Sequence, residues 1–219
     1  MKKLFLKPSK NYLARLAVSI FGIAIISLAS ALFFLTDLGA DPYQVLCNAI
    51  HIRFSVTLGM ANIILNGIIV VLILIFFRKF INIAMVLSLL LSGLFIDGFV
   101  SIFGSFVNQS LPMAAKISII VFACVLLGFG VYLYTAPALG ASPADSVGLI
   151  IAKLINKPYS RVRIITDVFY TAVGFLLGGK VGITTIISVL LTGVTIGIFE
   201  KVLDNTKLIR YIKRTDQFY

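Results

Sequence analysis

Residues 38–46 read L-G-A-D-P-Y-Q-V-L and residues 139–147 read L-G-A-S-P-A-D-S-V, so one short motif occurs twice, 101 positions apart. The same offset pairs Asn66 with Asp167, and an offset of 100 pairs the L-L-S-G of residues 90–93 with the L-L-T-G of residues 190–193. The chain of 219 residues is therefore predicted to be an internal duplication. If each half crosses a membrane an odd number of times, the halves have opposite orientations, as in many secondary transporters.

Composition assigns the chain to the membrane proteins. Apolar residues make up 60% and charged residues 12%, with a mean hydropathy of +1.09, which excludes a soluble domain. A helix of about 20 apolar residues crosses the roughly 30 Å hydrocarbon core. Six such stretches are found, at residues 16–35, 58–77, 81–103, 117–136, 162–179 and 181–199. The predicted fold is an all-α membrane protein with six transmembrane helices in two inverted three-helix repeats, residues 16–103 and 117–199.

A shorter segment follows each copy of the motif, at residues 42–54 and 143–155, and neither is long enough to span the bilayer. Each begins with a proline, which suits the first turn of a helix, and a glycine shortly before it permits a sharp turn. Apolar and polar positions mix in both segments. They are therefore predicted to be short helices, either re-entrant or lying in the membrane interface.

The basic residues indicate the orientation, because Lys and Arg concentrate near the cytoplasmic ends of spans. With the N-terminus inside, 16 of the 19 basic residues fall on the cytoplasmic side. They lie in residues 1–15, directly after the second span at 78–79, at the start of the fifth span and just before it at 153–163, and in the tail at 200–219. Only Arg53, Lys116 and Lys180 fall elsewhere. We therefore expect a bacterial plasma membrane protein with both termini cytoplasmic and an extracytoplasmic linker at 104–116. The net charge of +11 then reflects topology and anionic lipids, and no nucleic acid partner is expected.

Acidic residues inside or beside the spans are the candidates for function, because a carboxylate in the membrane generally faces a cavity or a partner. Asp41 is either a helix N-cap or part of a binding site. Asp167, one turn after Arg163, either forms a structural ion pair or takes part in coupling. Asp97 has no basic neighbour in its own span, which makes it a candidate for proton or cation coupling.

The predicted site lies between the starts of the two short helices. Its candidate substrate-binding residues are Asp41, Tyr43, Gln44, Ser142, Asp145 and Ser146. The candidate coupling or cavity residues are Asn62, Asn66, Asp97, Arg163 and Asp167. The two asparagines lie one turn apart, and they either join helices through hydrogen bonds or line the cavity.

Other motifs indicate packing rather than chemistry. Gly193 and Gly197 form a G-x-x-x-G, which is typical of close helix packing. Cys47 and Cys124 lie in different segments and predict no disulfide. The sequence has no nucleophile elbow, Walker-type glycine loop or metal-ligand cluster, so we expect neither an enzyme nor a bound metal or cofactor.

Several of these motifs together carry a family resemblance. They are the G-A-x-P element with its short helix, R-V-R-x-x-x-D at 161–167, G-G-K-V-G-I-T-T at 178–185 and the L-L-[ST]-G endings. From about residue 13 to residue 203 the chain resembles the YczE/YyaS/YitT-like family of bacterial membrane proteins. Pro-Trp-Asp usually follows the small residues in each half of that family; here Asp145 keeps the acidic position and Gln44 replaces it in the first half. The resemblance implies a six-helix integral membrane protein with a transport role, and it implies no particular substrate.

The leading functional hypothesis is a small secondary transporter or exporter of a small polar solute, with a site at the repeat interface and proton coupling. The alternatives are the substrate-binding subunit of a multicomponent vitamin-type uptake transporter and an accessory protein without transport. The expected partners are the lipid bilayer and a small-molecule solute. A homodimer or a partner subunit is compatible with each of these hypotheses. Because helix N-termini attract anions and carboxylates attract cations, the sign of the solute's charge stays open.

Overall fold

The computed structural model describes residues 12–107, 110–157, 159–203 and 206, which leaves most of both basic terminal regions outside the described residues. Within that part of the chain the fold is helical and contains no β-strand, so the predicted all-α class is confirmed. The helices are α1 (Tyr12–Thr36), α2 (Pro42–Phe54), α3 (Leu58–Phe76), α4 (Ile83–Phe103), α5 (Met113–Thr135), α6 (Pro143–Leu154), α7 (Tyr159–Leu176) and α8 (Ile183–Leu203), with a 3-10 turn at Arg78–Phe80.

Five of the described helices are long and apolar enough to cross a membrane, namely α1, α3, α4, α5 and α8. They overlap five of the six predicted spans, with ends that differ by a few residues. The remaining predicted span, residues 162–179, falls on α7, which has 18 residues and carries Arg161, Arg163 and Asp167. A multi-pass membrane protein is therefore supported, whereas the count of six spans is not confirmed.

The first copy of the motif begins a short helix, as predicted. Gly39 has a φ of +101°, in the region that favours glycine, and turns the chain after α1. Asp41 then caps α2, because its Oδ1 accepts hydrogen bonds from the backbone N–H groups of Tyr43 at 3.1 Å and Gln44 at 3.4 Å. Pro42 is the first residue of the helix, where a missing N–H costs nothing.

The second copy repeats this construction with a different cap. Gly140 has a φ of +121°, and Pro143 is the first residue of α6. Here Ser142 is the cap, and its Oγ accepts a hydrogen bond from the backbone N–H of Asp145 at 3.1 Å. Both motif prolines therefore start helices, as the sequence predicts.

The repeat mates α1 and α5 pack against each other in opposite directions. A Cβ on Gly22, near the start of α1, would lie 2.6 Å from the backbone N of Tyr134, at the end of α5. Phe33, near the end of α1, belongs to the same core cluster as Ile120, near the start of α5. Residue numbers rise along α1 while they fall along α5, so the two helices are antiparallel.

The other helix contacts largely repeat when the two halves are exchanged. Helix α1 packs against α4 as α5 packs against α8, and α2 contacts α3 and α7 as α6 contacts α7 and α3. One pair breaks this pattern, because α3 packs extensively against α4 whereas α7 and α8 make no contact of that extent. A Cβ on Gly193 or Gly197 of α8 would meet no heavy atom within 4 Å. The prediction that this G-x-x-x-G packs against another helix is therefore wrong within the described part of the chain.

Each motif loop docks on the opposite half. The carbonyl of Leu38 accepts a hydrogen bond from the backbone N–H of Thr184 at 3.1 Å, at the start of α8. The carbonyl of Leu139 accepts one from Ala84 at 3.5 Å, at the start of α4. These crossed contacts bring the starts of α2 and α6 between the two halves.

Candidate functional site

A cavity of about 130 Å³ lies between the two halves, next to the starts of both short helices. Its volume holds on the order of ten water-sized positions, since one water needs about 10–15 Å³ on this measure. The polar residues that line it are Ser27, Ser30, Asp41, Tyr43, Gln44, Asn62, Asn66, Ser88, Ser92, Tyr134, Ser142, Asp145 and Arg163. Apolar side chains of α1, α4 and α5 complete the wall. The cavity therefore has room for a small solute and an amphipathic surface for it.

Five of the six residues predicted to bind substrate line this cavity, and they are Asp41, Tyr43, Gln44, Ser142 and Asp145. Ser146 does not. It is 3% exposed, and its Oγ lies 3.5 Å from the carbonyl oxygen of Ala141, the motif residue before the cap. Ser146 lies about 100° around the helix from Asp145, so its side chain faces another direction. The substrate-binding role of the six candidate residues stays a prediction.

Asn62 and Asn66 belong to a hydrogen-bond network inside the cavity wall. The hydroxyl of Tyr43 donates to Asn66 Oδ1 at 2.7 Å, and Asn66 Nδ2 donates to Asn62 Oδ1 at 2.8 Å. Ser92 Oγ lies 2.8 Å from Asn62 Oδ1 and 2.6 Å from the carbonyl oxygen of Ser88, so these two acceptors share its single proton. The network joins α2, α3 and α4 and lines the cavity at the same time, so the two interpretations of these asparagines are compatible.

Gln44 is a lining residue whose side chain has an unused polar atom. Its side chain is only 6% exposed, and its Nε2 donates to Ser30 Oγ at 3.1 Å. Its Oε1 is buried and has no hydrogen-bond partner among the described residues. Leaving a buried acceptor unsatisfied costs about 1–3 kcal/mol, so such an atom marks a place for a ligand or a water.

Three charged residues face the cavity, namely Asp41, Asp145 and Arg163. Desolvation raises the pKa of Asp41 to about 6, and the charge of Asp167 adds to this, while the N–H bonds at the cap and Arg163 oppose it. Arg163 Nε lies 3.9 Å from Asp167 Oδ2, so the ion pair expected from their spacing is present. Asp145 Oδ2 accepts a hydrogen bond from the hydroxyl of Ser142 at 2.9 Å.

Asp97 is a residue of α4 that lies outside the cavity lining, and its side chain contacts the start of α3. Its Oδ2 accepts a hydrogen bond from the hydroxyl of Thr57 at 2.6 Å, and its Oδ1 accepts one from the backbone N–H of Gly59 at 2.7 Å. These are the contacts of a carboxylate that caps a helix from a neighbouring helix. A coupling role for Asp97 stays a prediction, and these contacts provide a structural role for the same residue.

Comparisons with known proteins show the family of this chain. Residues 13–201 match a family of unknown function, DUF6198. The chain belongs to this family. It is 31% identical over 188 residues to the uncharacterized membrane protein YczE of Bacillus subtilis (strain 168), which covers 83% of this chain and 80% of YczE.

Two further relatives of this DUF6198 chain are more distant. An uncharacterized protein of Haemophilus influenzae (strain ATCC 51907 / DSM 11121 / KW20 / Rd) is 24% identical over 198 residues, 90% of this chain and 88% of its own length. The uncharacterized protein YyaS of Bacillus subtilis (strain 168) is 22% identical over 183 residues, 84% and 90% of the two chains. No solved structure matches. The resemblance to YczE-like bacterial membrane proteins is confirmed.

Part of the cavity wall of this DUF6198 protein escaped the sequence analysis. The residues that it missed are Ser27, Ser30, Ser88, Ser92 and Tyr134. The serines form two pairs, three and four residues apart on otherwise apolar spans, which places each pair on one helix face. That spacing is the sequence signal from which a polar cavity wall could have been predicted.

Proposed function

We propose that this protein is a small secondary transporter or exporter whose solute binds in the cavity between two inverted halves. The observation that carries the proposal is the polar cavity, because polar side chains from both halves meet there and one buried acceptor, Gln44 Oε1, has no described partner. An accessory protein without a solute needs no such cavity inside an apolar core.

An inverted repeat is part of the proposal. The antiparallel packing of α1 on its repeat mate α5 supports it, as do the crossed contacts of the two motif loops. In this arrangement α7 is a sixth span, short and charge-bearing, with Arg163 at the cavity. The short helices are re-entrant, since irregular backbone at membrane depth is tolerated where it lines a cavity. Both termini are cytoplasmic.

Transport needs the cavity to open to each side in turn, and in this proposal two contacts between the halves act as the gates. On the proposed extracytoplasmic side, Lys180 Nζ lies 2.6 Å from Asp37 Oδ1 and joins the two loops. On the proposed cytoplasmic side, Arg15 Nε donates to the carbonyl of Pro137 at 2.8 Å. Both contacts are near the surface, where such pairs contribute little to stability, so they can break and re-form during a cycle.

The function is tested with proteoliposomes that are loaded with a bacterial metabolite extract, and mass spectrometry measures which solutes leave. Ser27→Leu fills the cavity and should abolish the release, because Ser27 is buried in its wall. Ser118→Leu is the matched control, since Ser118 is an exposed serine on α5. If the folded protein releases no solute, the transporter proposal fails and a binding subunit or an accessory protein is favoured.

The topology is tested by cysteine labelling in intact cells. Cys47 and Cys124 are both 0% exposed, so the background should be low. An impermeant maleimide should label Ser105→Cys, after α4, in intact cells. It should label Lys79→Cys, between α3 and α4, only after the cells are permeabilised. Labelling of both positions from the same side would contradict the proposed topology.

A further inference from the structure

Two acceptors in the cavity wall, Gln44 Oε1 and Asp41 Oδ2, are left for a ligand. Among the lining donors, Tyr43 Oη, Asn66 Nδ2 and Gln44 Nε2 already donate to protein atoms. Gln44 Oε1 has no partner among the described residues, and the backbone N–H groups of Tyr43 and Gln44 both donate to Asp41 Oδ1, which leaves Asp41 Oδ2 for another donor. A ligand that supplies N–H donors can satisfy both of these acceptors.

The charges of the described lining residues also favour a cation as the ligand. Two carboxylates face the cavity, Asp41 and Asp145, against the single guanidinium of Arg163, which is already paired with Asp167. A cavity with low-dielectric walls and an excess of one charge attracts the opposite charge. The rings of Tyr43 and Tyr134, which also line the cavity, can interact with a cation through their π faces.

The helix N-termini do not offset this preference. An uncapped N-terminus attracts anions through its free N–H groups. At α2, the N–H groups of Tyr43 and Gln44 are occupied by the Asp41 carboxylate, and at α6 the N–H of Asp145 is occupied by Ser142 Oγ. At α2 the donors that would hold an anion are therefore used by the cap, and at α6 the cap uses one of them.

We infer that the cavity binds a small organic cation, a primary ammonium on a short apolar chain, which donates N–H bonds to Asp41 Oδ2 and Gln44 Oε1. The inference rests on the proposed function, in which this cation is the transported solute. The ammonium group supplies three donors, which are enough for both acceptors. Apolar lining residues such as Ile26 and Val131 receive its chain.

The probe for the test is propylammonium chloride, with sodium propionate and 1-propanol as controls of similar size at matched ionic strength. The purified full chain in detergent is heated with a thiol-reactive coumarin dye, which reports unfolding when the buried Cys47 and Cys124 become exposed. Propylammonium should raise the unfolding temperature in a saturable way, and the two controls should not. Stabilisation by propionate alone, or no stabilisation by propylammonium, overturns the inference.

Variants then locate the site. Asp41→Asn keeps an acceptor for the helix cap but removes the charge, and it should weaken propylammonium binding tenfold or more. Gln44→Leu removes the second acceptor, should also weaken binding, and carries the test if the first variant does not fold. Glu200→Gln is the matched control, because Glu200 is an exposed acidic residue of α8 outside the cavity lining, and the affinity of this variant should stay unchanged. Equal affinities of Asp41→Asn, Gln44→Leu and the unmodified chain would overturn the assignment.

Transport measured with the same probe separates the two proposals. Binding of propylammonium without its movement in proteoliposomes would contradict the transporter proposal and support the cation site. Release of anionic or neutral solutes by a protein that does not bind propylammonium would support the transporter proposal and contradict the cation site.

Discussion

The close contact of α3 with α4 gives a prediction whose control lies in the other half of the same chain. A Cβ on Gly93 of α4 would lie 2.5 Å from the carbonyl oxygen of Gly59 on α3. This oxygen belongs to the backbone, so no side-chain rotation relieves the overlap and the two helices must separate. The repeat mate Gly193 occupies the same place in L-L-T-G, and a Cβ there would meet no heavy atom within 4 Å.

The expected size of the effect follows from two terms. Overpacking a well-packed interior costs about 1–3 kcal/mol. Replacing glycine by alanine inside a helix stabilises the helix by about 0.8–1.0 kcal/mol, and this term acts on both variants. The difference in the free energy of unfolding between Gly93→Ala and Gly193→Ala should therefore be about 1–3 kcal/mol, with Gly93→Ala the less stable.

Both variants can be unfolded in mixed micelles by increasing fractions of sodium dodecyl sulfate, with circular dichroism as the signal. The comparison uses equal detergent conditions, so differences in micelle composition cancel. If the two alanine variants are equally stable, the helices are not packed as closely at Gly93 as the structure describes. The reasoning from the contact geometry would then be refuted.

Three further outcomes are expected. Asn62→Leu removes the acceptor of the buried hydrogen bond from Asn66 Nδ2, and thermal unfolding should show a loss of about 1–3 kcal/mol in the free energy of unfolding. Asp97→Asn should keep any pH dependence of transport in proteoliposomes, because Asp97 caps α3 outside the cavity; loss of that dependence would assign coupling to Asp97. Propylammonium affinity, measured by titration at several pH values, should fall as the pH drops through about 6. The reason is that Asp41, flanked by Asp167 and Arg163, becomes neutral there while the alkylammonium stays charged.

The motif helices could be predicted because their determinants are local. A glycine in the left-handed region, a side-chain cap and a proline in the first turn lie within five consecutive residues, as Gly39 to Pro42 illustrate. The approach of these helix starts to one cavity was predicted from the duplication alone. Five of the six candidate residues reached the cavity because they flank the cap, where every side chain is close to the helix start.

Properties that depend on a partner helix could not be predicted. Gly93 and Gly193 stand in nearly identical sequence, yet only Gly93 lies against a neighbouring helix, because α3 packs on α4 and α7 does not pack comparably on α8. Asp97 looked unpartnered within its own span, and its hydrogen-bond donors, Thr57 and Gly59, come from α3. A single sequence does not show which helix faces pack against each other.

The crossed docking of the motif loops links the proposed binding site to the proposed transport cycle. The loop that carries Asp41 is held by the start of α8, whereas the loop that carries Ser142 is held by the start of α4. Any rotation of one half against the other therefore moves the two helix starts relative to each other and to the cavity. A solute shifts a conformational equilibrium only through contacts that differ between the two states. Because the proposed ammonium ligand is held at the start of α2, its contacts with the far wall near Asp145 change whenever the halves rotate, and this change is what would couple binding to opening.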